Sequence, residues 1–169
     1  MKLLAAVSLL ATAATASPVQ KLFNLQTSGA SNSSHNGLWL VSYHSAASGP
    51  LDSEPIFTKQ AADAATFYLN NGTVRYDTPN QQNQAPWAID LVTVQRGNGL
   101  KEPVRIGVHE DAGTKGFYIN KDGLQGPSQT FGSWSICDNQ LFFQNPQASD
   151  TTVPSNCDIV KLQAVYKTS

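Results

Sequence analysis

The stretch Thr66-Phe67-Tyr68-Leu69-Asn70-Asn71-Gly72-Thr73-Val74-Arg75-Tyr76 decides the fold. Aromatic and β-branched residues, which favour strands, stand on both sides of the Asn71-Gly72 pair. Asn-Gly favours a two-residue turn of type I′, because both of its central residues tolerate a positive φ angle. The stretch therefore predicts two short antiparallel strands joined by a tight turn.

Similar apolar runs recur along the chain, separated by clusters of Gly, Pro, Asn and Asp. This spacing predicts one all-β domain, an antiparallel β-sandwich or distorted β-barrel. The nearly even spacing of Trp39, Trp87 and Trp134 leaves a β-trefoil as an alternative, although their flanking residues do not repeat. Residues 59–65 are alanine-rich but short, and predict a single helical turn. The other runs cover residues 22–27, 38–44, 87–95, 104–108, 116–119, 140–143 and 159–166.

The alternation within these runs selects a core. Trp39 and Leu40 are adjacent, so both can face inward only if their strand is buried on both sides. The predicted core contributors are Trp39, Leu40, Val41, Ile89, Leu91, Ile106, Phe117, Leu141, Phe143, Val160 and Leu162.

Residues 1–16 have the pattern of a secretory signal peptide. Lys2 supplies the positive charge, residues 3–10 are almost entirely apolar, and Ala14-Thr15-Ala16 provides a small-x-small cleavage site. The predicted mature domain is residues 17–169, and its expected location is outside the cell, with the cell wall as one such location. Cleavage changes the formal net charge from −1 to −2, which argues against nucleic acid as a partner, since phosphate binding needs a basic surface. No later run is long enough to span a membrane, and we expect a monomer.

Two cysteines, Cys137 and Cys157, permit only one intramolecular disulfide in an oxidising compartment. Two free buried thiols are the alternative. The sequence also contains two sequons for N-glycosylation, at Asn32 (Asn32-Ser33-Ser34) and at Asn71 (Asn71-Gly72-Thr73).

Signals of catalysis are weak. The three histidines, His35, His44 and His109, have none of the spacings by which one strand or helix presents two imidazoles to a metal. We predict no catalytic residue, no metal and no cofactor. A carbohydrate-active hydrolase would need two carboxylates facing each other across a groove, and the sequence does not select a pair. The possible members are Asp52, Glu54, Asp90, Glu102, Glu110 and Asp111, with Asp90 expected on an outer face.

Aromatic residues are the most suggestive positive feature. Secreted β-sandwiches often bind polysaccharides by stacking sugar rings on exposed aromatic side chains, although most aromatic residues in a small β-domain pack in its core. Tyr43 and Tyr118 are the candidates for ligand stacking.

Seven segments form a pattern by their order along the chain: residues 23–32, 35–38, 86–87, 116–117, 123–124, 131–138 and 154–157. Together they resemble a group of small secreted proteins of filamentous fungi whose domain has no assigned function. The resemblance covers most of the mature chain and implies fungal origin, secretion and a Cys137–Cys157 link, but no active-site residue. More loosely, the chain resembles fungal cell-wall and effector-type proteins.

The expected function is therefore that of a secreted, non-catalytic protein, cell-wall-associated or host-facing, with polysaccharide as a possible ligand. One alternative is a hydrolase that uses a carboxylate pair. The other is a secreted effector or inhibitor that binds a host protein.

Overall fold

The computed structural model describes residues 20–45, 49, 51–78, 87–92, 101–108, 113–147 and 152–168. These residues form twelve β-strands and two single-turn 3-10 helices, Ser33–His35 and Ala61–Asp63. The second helix confirms the predicted helical turn. The strands are β1 (Phe23–Ser28), β2 (Trp39–Tyr43), β3 (Asp52–Thr58), β4 (Phe67–Asn70), β5 (Thr73–Tyr76), β6 (Trp87–Leu91), β7 (Glu102–Val108), β8 (Tyr118–Asn120), β9 (Gly123–Gln125), β10 (Ser133–Cys137), β11 (Gln140–Gln144) and β12 (Cys157–Tyr166).

The hairpin predicted from the Asn-Gly pair joins β4 to β5. Asn70 pairs with Thr73 across the turn, and the two central residues, Asn71 and Gly72, have φ angles of 47° and 76°. Both angles are positive, as a type I′ turn requires.

Ten strands form one antiparallel sheet that closes on itself. Its order is β10-β12-β1-β2-β3-β11-β7-β6-β5-β4. The pairing of Phe23 with Phe67 joins β4 back to β1, and β10 pairs with both β12 and β11. Closure leaves few unpaired edges. The structure therefore confirms the all-β prediction in its barrel form.

The core fills the interior of this barrel with the inward-facing residue of each strand. Leu40, Ile106 and Leu141 are among its fully buried members. Eight of the predicted core residues are buried: Leu40, Ile89, Ile106, Phe117, Leu141, Phe143, Val160 and Leu162. Leu91 is half-buried against the cluster.

Trp39 and Val41 are corrections to the predicted core. Leu40 occupies the inner face of β2, so its two neighbours lie on the outer face, where both are half-buried. The three tryptophans occupy different environments, since Trp134 is buried and Trp87 packs against the core from the side. The trefoil alternative, which would place them equivalently, is not what the chain forms.

A small second sheet, β8–β9, packs on the barrel. The Trp134 indole donates a hydrogen bond from Nε1 to the Leu124 carbonyl at 2.6 Å, and its ring stacks on Phe117 with centroids 6.3 Å apart. These contacts attach the 113–125 segment to the barrel core. No helix among the described residues is long and apolar enough to cross a membrane.

Candidate functional site

The outer face of the barrel carries apolar side chains on four neighbouring strands, β2, β3, β11 and β7. On β2, residues 39, 41 and 43 alternate with the buried Leu40 and therefore point outward together. Val41 pairs with Ile56, and Phe142 pairs with Pro103. The β11 residue that pairs with Ile56 is the polar Gln140, which separates the two apolar pairs. We call this set the outer stripe. Its members are Trp39, Val41, Tyr43, Ile56, Phe142 and Pro103, and all are half-buried or exposed.

Trp39 and Tyr43 mark the two ends of the stripe on β2. Four residues along a strand span roughly 13 Å, so the two rings lie in line on one strand face. Tyr43 is 51% exposed, whereas Trp39 is half-buried. The sequence singled out Tyr43 but assigned Trp39 to the core. The alternation that placed Tyr43 outward applies equally to Trp39 once Leu40 is known to face inward.

Polar groups border the outer stripe. Glu54 pairs with Tyr43 across the strands and accepts a hydrogen bond from the Ser45 hydroxyl at 2.9 Å. Asp52, two residues earlier on the same face of β3, lies 3.8 Å from the Arg105 guanidinium. On the other side, the Lys101 ammonium stands 4.6 Å from the centre of the Phe142 ring. The outer stripe therefore consists of apolar side chains with Gln140 among them and with charged groups of both signs beside them.

Of the remaining candidate carboxylates, the structure describes Asp90 and Glu102, which lie on different strands. Asp90 lies on the outer face of β6, as expected, and accepts a hydrogen bond from Thr114 at 2.8 Å. Glu102 is buried at the start of β7. Asp52 and Glu54 stand side by side on the outside of the barrel and do not face each other across a groove. Glu110 and Asp111 lie outside the described residues.

Tyr118 is 48% exposed but lies on β8, in the second sheet. Because β2 and β8 belong to different sheets, the structure does not align Tyr43 and Tyr118 along one strand. Trp39 is the ring that shares a strand face with Tyr43.

A second polar cluster ties the loop after β1 to the start of β12. The Asp158 carboxylate accepts hydrogen bonds from the Ser31 hydroxyl at 2.5 Å and from the Asn32 backbone N–H at 2.8 Å. The His35 ring lies 3.3 Å away through Nδ1. The Ser31 hydrogen bond, assisted by Asn32 and His35, lowers the pKa of Asp158, although burial opposes this shift. We call this arrangement the Asp158 latch.

A groove of about 440 Å³ lies beside the latch. Its lining includes Ser31 and Ser155 together with apolar residues such as Ile159. The Asp158 carboxylate already has three partners from the loop, so its oxygens hold that loop in place and are poorly available to a ligand. The groove is lined by Gly29, Ser31, residues 153–155 and residues 157–159.

Of the other residues singled out by the sequence, the structure describes His44 and the two cysteines. His44 contacts the Asp52 carbonyl through Nδ1 at 2.9 Å, and His109 lies outside the described residues. Among the residues that the structure describes, no three His, Cys, Asp or Glu side chains form a group able to hold a metal ion. Cys137 and Cys157 form the predicted disulfide between paired residues of β10 and β12, with Cα atoms 4.2 Å apart.

Asn32 and Asn71, the two predicted sequon positions, are both exposed. Asn32 lies in the loop that the latch secures, and Asn71 lies at the tip of the β4–β5 hairpin. The predicted signal peptide, residues 1–16, lies outside the described residues.

Fold and site together define a class: a closed antiparallel β-barrel, linked by one disulfide, with an apolar outer stripe. A model of one protein family matches residues 20–166, almost the whole described barrel. The chain belongs to this family, which is described as a domain of unknown function, DUF7907. No curated protein and no solved structure matches the chain.

Proposed function

We propose that this protein is a secreted, non-catalytic binding protein that holds a polysaccharide of the cell wall on the outer stripe. The observation that carries the proposal is the alignment of Trp39 and Tyr43 on one face of β2, with Val41 between them. Aromatic rings offer large rigid apolar surfaces at low entropic cost, and Tyr adds a polar end. A row of such rings suits the flat faces of successive sugar units.

The arrangement of the carboxylates favours binding over hydrolysis. General acid–base cleavage of a glycosidic bond needs two carboxyl groups on opposite sides of the bond. Asp52 and Glu54 share one face of β3 instead, beside the stripe, where Arg105 and Ser45 engage them. In this position they can accept hydrogen bonds from sugar hydroxyls at the edge of a bound chain.

Residues 1–16 support secretion, and the resemblance to secreted fungal proteins supports fungal origin and a location in or near the cell wall. The small net negative charge supports a partner other than nucleic acid. We propose that the protein acts as a monomer without cofactor or metal.

The test is a pull-down of the mature protein on insoluble chitin, β-glucan, xylan and cellulose, with released sugar measured in the same tubes. We expect retention on at least one polysaccharide and no sugar release. Trp39→Ala and Tyr43→Ala should each weaken binding roughly tenfold, equivalent to about 1.4 kcal/mol. The matched control is Tyr118→Ala, because Tyr118 is exposed to a similar degree, 48% against 51% for Tyr43, and lies on the other sheet.

The outcomes separate three classes of protein. Sugar release would overturn the non-catalytic proposal and direct attention to Asp52 and Glu54. Absence of retention on every polysaccharide would overturn the choice of ligand and favour a host protein as the partner of the apolar stripe. Equal losses in Tyr43→Ala and Tyr118→Ala would show that binding does not depend on the outer stripe.

A further inference from the structure

The two sequons occupy different structural settings. In the folded protein the Asn32 side-chain oxygen accepts hydrogen bonds from the Ser34 backbone N–H at 3.0 Å and from the Ser34 hydroxyl at 2.8 Å. Both bonds use Oδ1. Within the described part of the chain no group accepts a hydrogen bond from Asn32 Nδ2, the atom to which a glycan is attached, and the residue is exposed.

The Asn71 sequon is covered by a neighbouring segment. Thr73, which supplies its hydroxyl, is 3% exposed. A Cβ built on Gly113 would stand only 2.5 Å from Thr73 Cγ2, which shows how closely the 113–117 segment lies over that side chain. The Gly72 carbonyl also accepts a hydrogen bond from the Phe117 N–H at 2.9 Å. Folding therefore buries Thr73, and the glycosylating enzyme cannot contact its hydroxyl in the folded protein.

The order of the contacting segments along the chain determines how long each sequon remains accessible to glycosylation during synthesis. The loop that contains Asn32 is secured by Asp158, 126 residues later in the chain. At about 5–20 residues per second, synthesis of that interval takes roughly 6–25 s. The β4–β5 hairpin needs only local contacts, and hairpins form in about 1–10 μs. The segments that cover Thr73 also follow much sooner than Asp158 does.

We propose that Asn32 is N-glycosylated and that Asn71 remains largely unmodified. The proposal rests on the secretory route of the proposed function. In the transfer, Asn32 Nδ2 loses a proton and forms a bond to C1 of an oligosaccharide. The bond from C1 to a lipid diphosphate breaks, and the lipid diphosphate leaves. The glycan would then stand at the loop that the Asp158 latch secures.

The test expresses the full mature chain in a eukaryotic host behind a heterologous secretory leader. An Asn-Ala-Thr tag added after Ser169 reports entry into the lumen. Treatment with peptide N-glycosidase in heavy-oxygen water labels each formerly glycosylated asparagine, and peptide mass spectrometry gives its occupancy. We expect the occupancy of Asn32 to be at least threefold that of Asn71. Sequons with threonine are generally better acceptors than sequons with serine. Because the Asn71 sequon contains threonine and the Asn32 sequon contains serine, this intrinsic preference works against the expected result.

Two variants test the mechanism. Ser34→Ala should abolish modification of Asn32 without changing Asn71. Gly113→Val should displace the covering segment from Thr73 and raise Asn71 occupancy at least twofold, measured on intracellular and secreted chains together so that a folding defect does not hide the effect. Occupancy of Asn71 equal to or above that of Asn32 would overturn the proposal. The proposal would also be overturned if the tag were glycosylated while Asn32 was not.

A parallel expression with the native residues 1–16 separates this inference from the proposed function. An unmodified tag in that experiment would contradict the secretory route. The experiment with the heterologous leader would still show whether Asn32 is glycosylated.

Discussion

The Ser31 hydroxyl donates a hydrogen bond to the Asp158 carboxylate at 2.5 Å, across 127 residues of sequence. Asp158 lies beside the buried strand positions of β12 and is itself only 7% exposed. Because the Asn32 N–H and the His35 ring converge on the same carboxylate, one side chain ties three residues of the loop between β1 and β2 to β12.

The latch predicts an acid-sensitive contribution to stability. The pKa of Asp158 is lower in the folded protein than its ordinary value, chiefly because of the Ser31 hydrogen bond. Its contribution is therefore fully present above the unfolded-state pKa of about 3.9 and is lost as pH falls through the lower folded-state value. Asp158→Asn should cost about 1–3 kcal/mol at pH 7 and flatten the fall in unfolding free energy between about pH 5 and pH 2.

Urea unfolding measured across this pH range would check the prediction. Asp122→Asn is the matched control, because Asp122 also has a lowered pKa, owing to Lys161, but is exposed to solvent. If Asp158→Asn kept the pH dependence of the wild type, Asp158 would not be its source.

We predict that loss of the disulfide lowers the free energy of unfolding by more than loss of the Asp158 contacts, and that this effect does not depend on pH. Cys137 and Cys157 are 20 residues apart, and on the chain-entropy model closing such a loop stabilises the folded state by about 3 kcal/mol. The double substitution to serine should lower the unfolding free energy by about that amount. Reductant should have no further effect on this variant. A loss below about 1 kcal/mol would contradict the entropic account.

Gly123 tests the attachment of the second sheet to the barrel. Its φ is +94°, and an added Cβ would collide with the backbone carbonyl of Leu162. Gly123→Ala should therefore cost about 2–4 kcal/mol, combining backbone strain with a clash that no side-chain rotation can relieve. Thermal and urea unfolding would measure the loss.

Gly37→Ala separates the two causes. Gly37 has a similar positive φ of +73° but nothing within 4 Å of an added Cβ, so it reports backbone strain alone, about 1 kcal/mol. Equal losses at the two glycines would show that the close approach to Leu162 contributes nothing.

Local signals account for what the sequence predicted correctly. The Asn71-Gly72 turn is specified by two adjacent residues, and the hairpin follows from it. The sequence did not determine which face of β2 lies inside the barrel, because the alternation in residues 38–44 allows either Trp39 or Leu40 to face inward. Pairing with β1 and β3 resolves that choice, and Trp39 was therefore missed as a partner of Tyr43.

Non-local contacts account for what the sequence left undetermined. Nothing near Ser31 indicates a carboxylate 127 residues away, and His35 was an isolated histidine until the fold placed it beside Asp158. The outer stripe likewise depends on register between strands that are distant in sequence, such as Phe142 with Pro103. Candidate residues could be selected from the sequence, but their grouping required the closed sheet.

Two serines on β10, Ser133 and Ser135, differ in the hydrogen bonding of their hydroxyls. The Ser135 hydroxyl is buried with no hydrogen-bond partner among the described residues, whereas the Ser133 hydroxyl donates to Gln144 Oε1 at 2.6 Å. A buried hydroxyl without a partner has lost its hydration and gained nothing in return. Ser135→Ala should therefore raise the unfolding free energy, by up to about 1 kcal/mol, while Ser133→Ala should lower it by about 1 kcal/mol. Urea unfolding of both variants would test this opposite pair of signs. A loss of stability in Ser135→Ala equal to that in Ser133→Ala would show that the Ser135 hydroxyl does find a partner, and that β10 is held at this position by a polar contact as well as by packing.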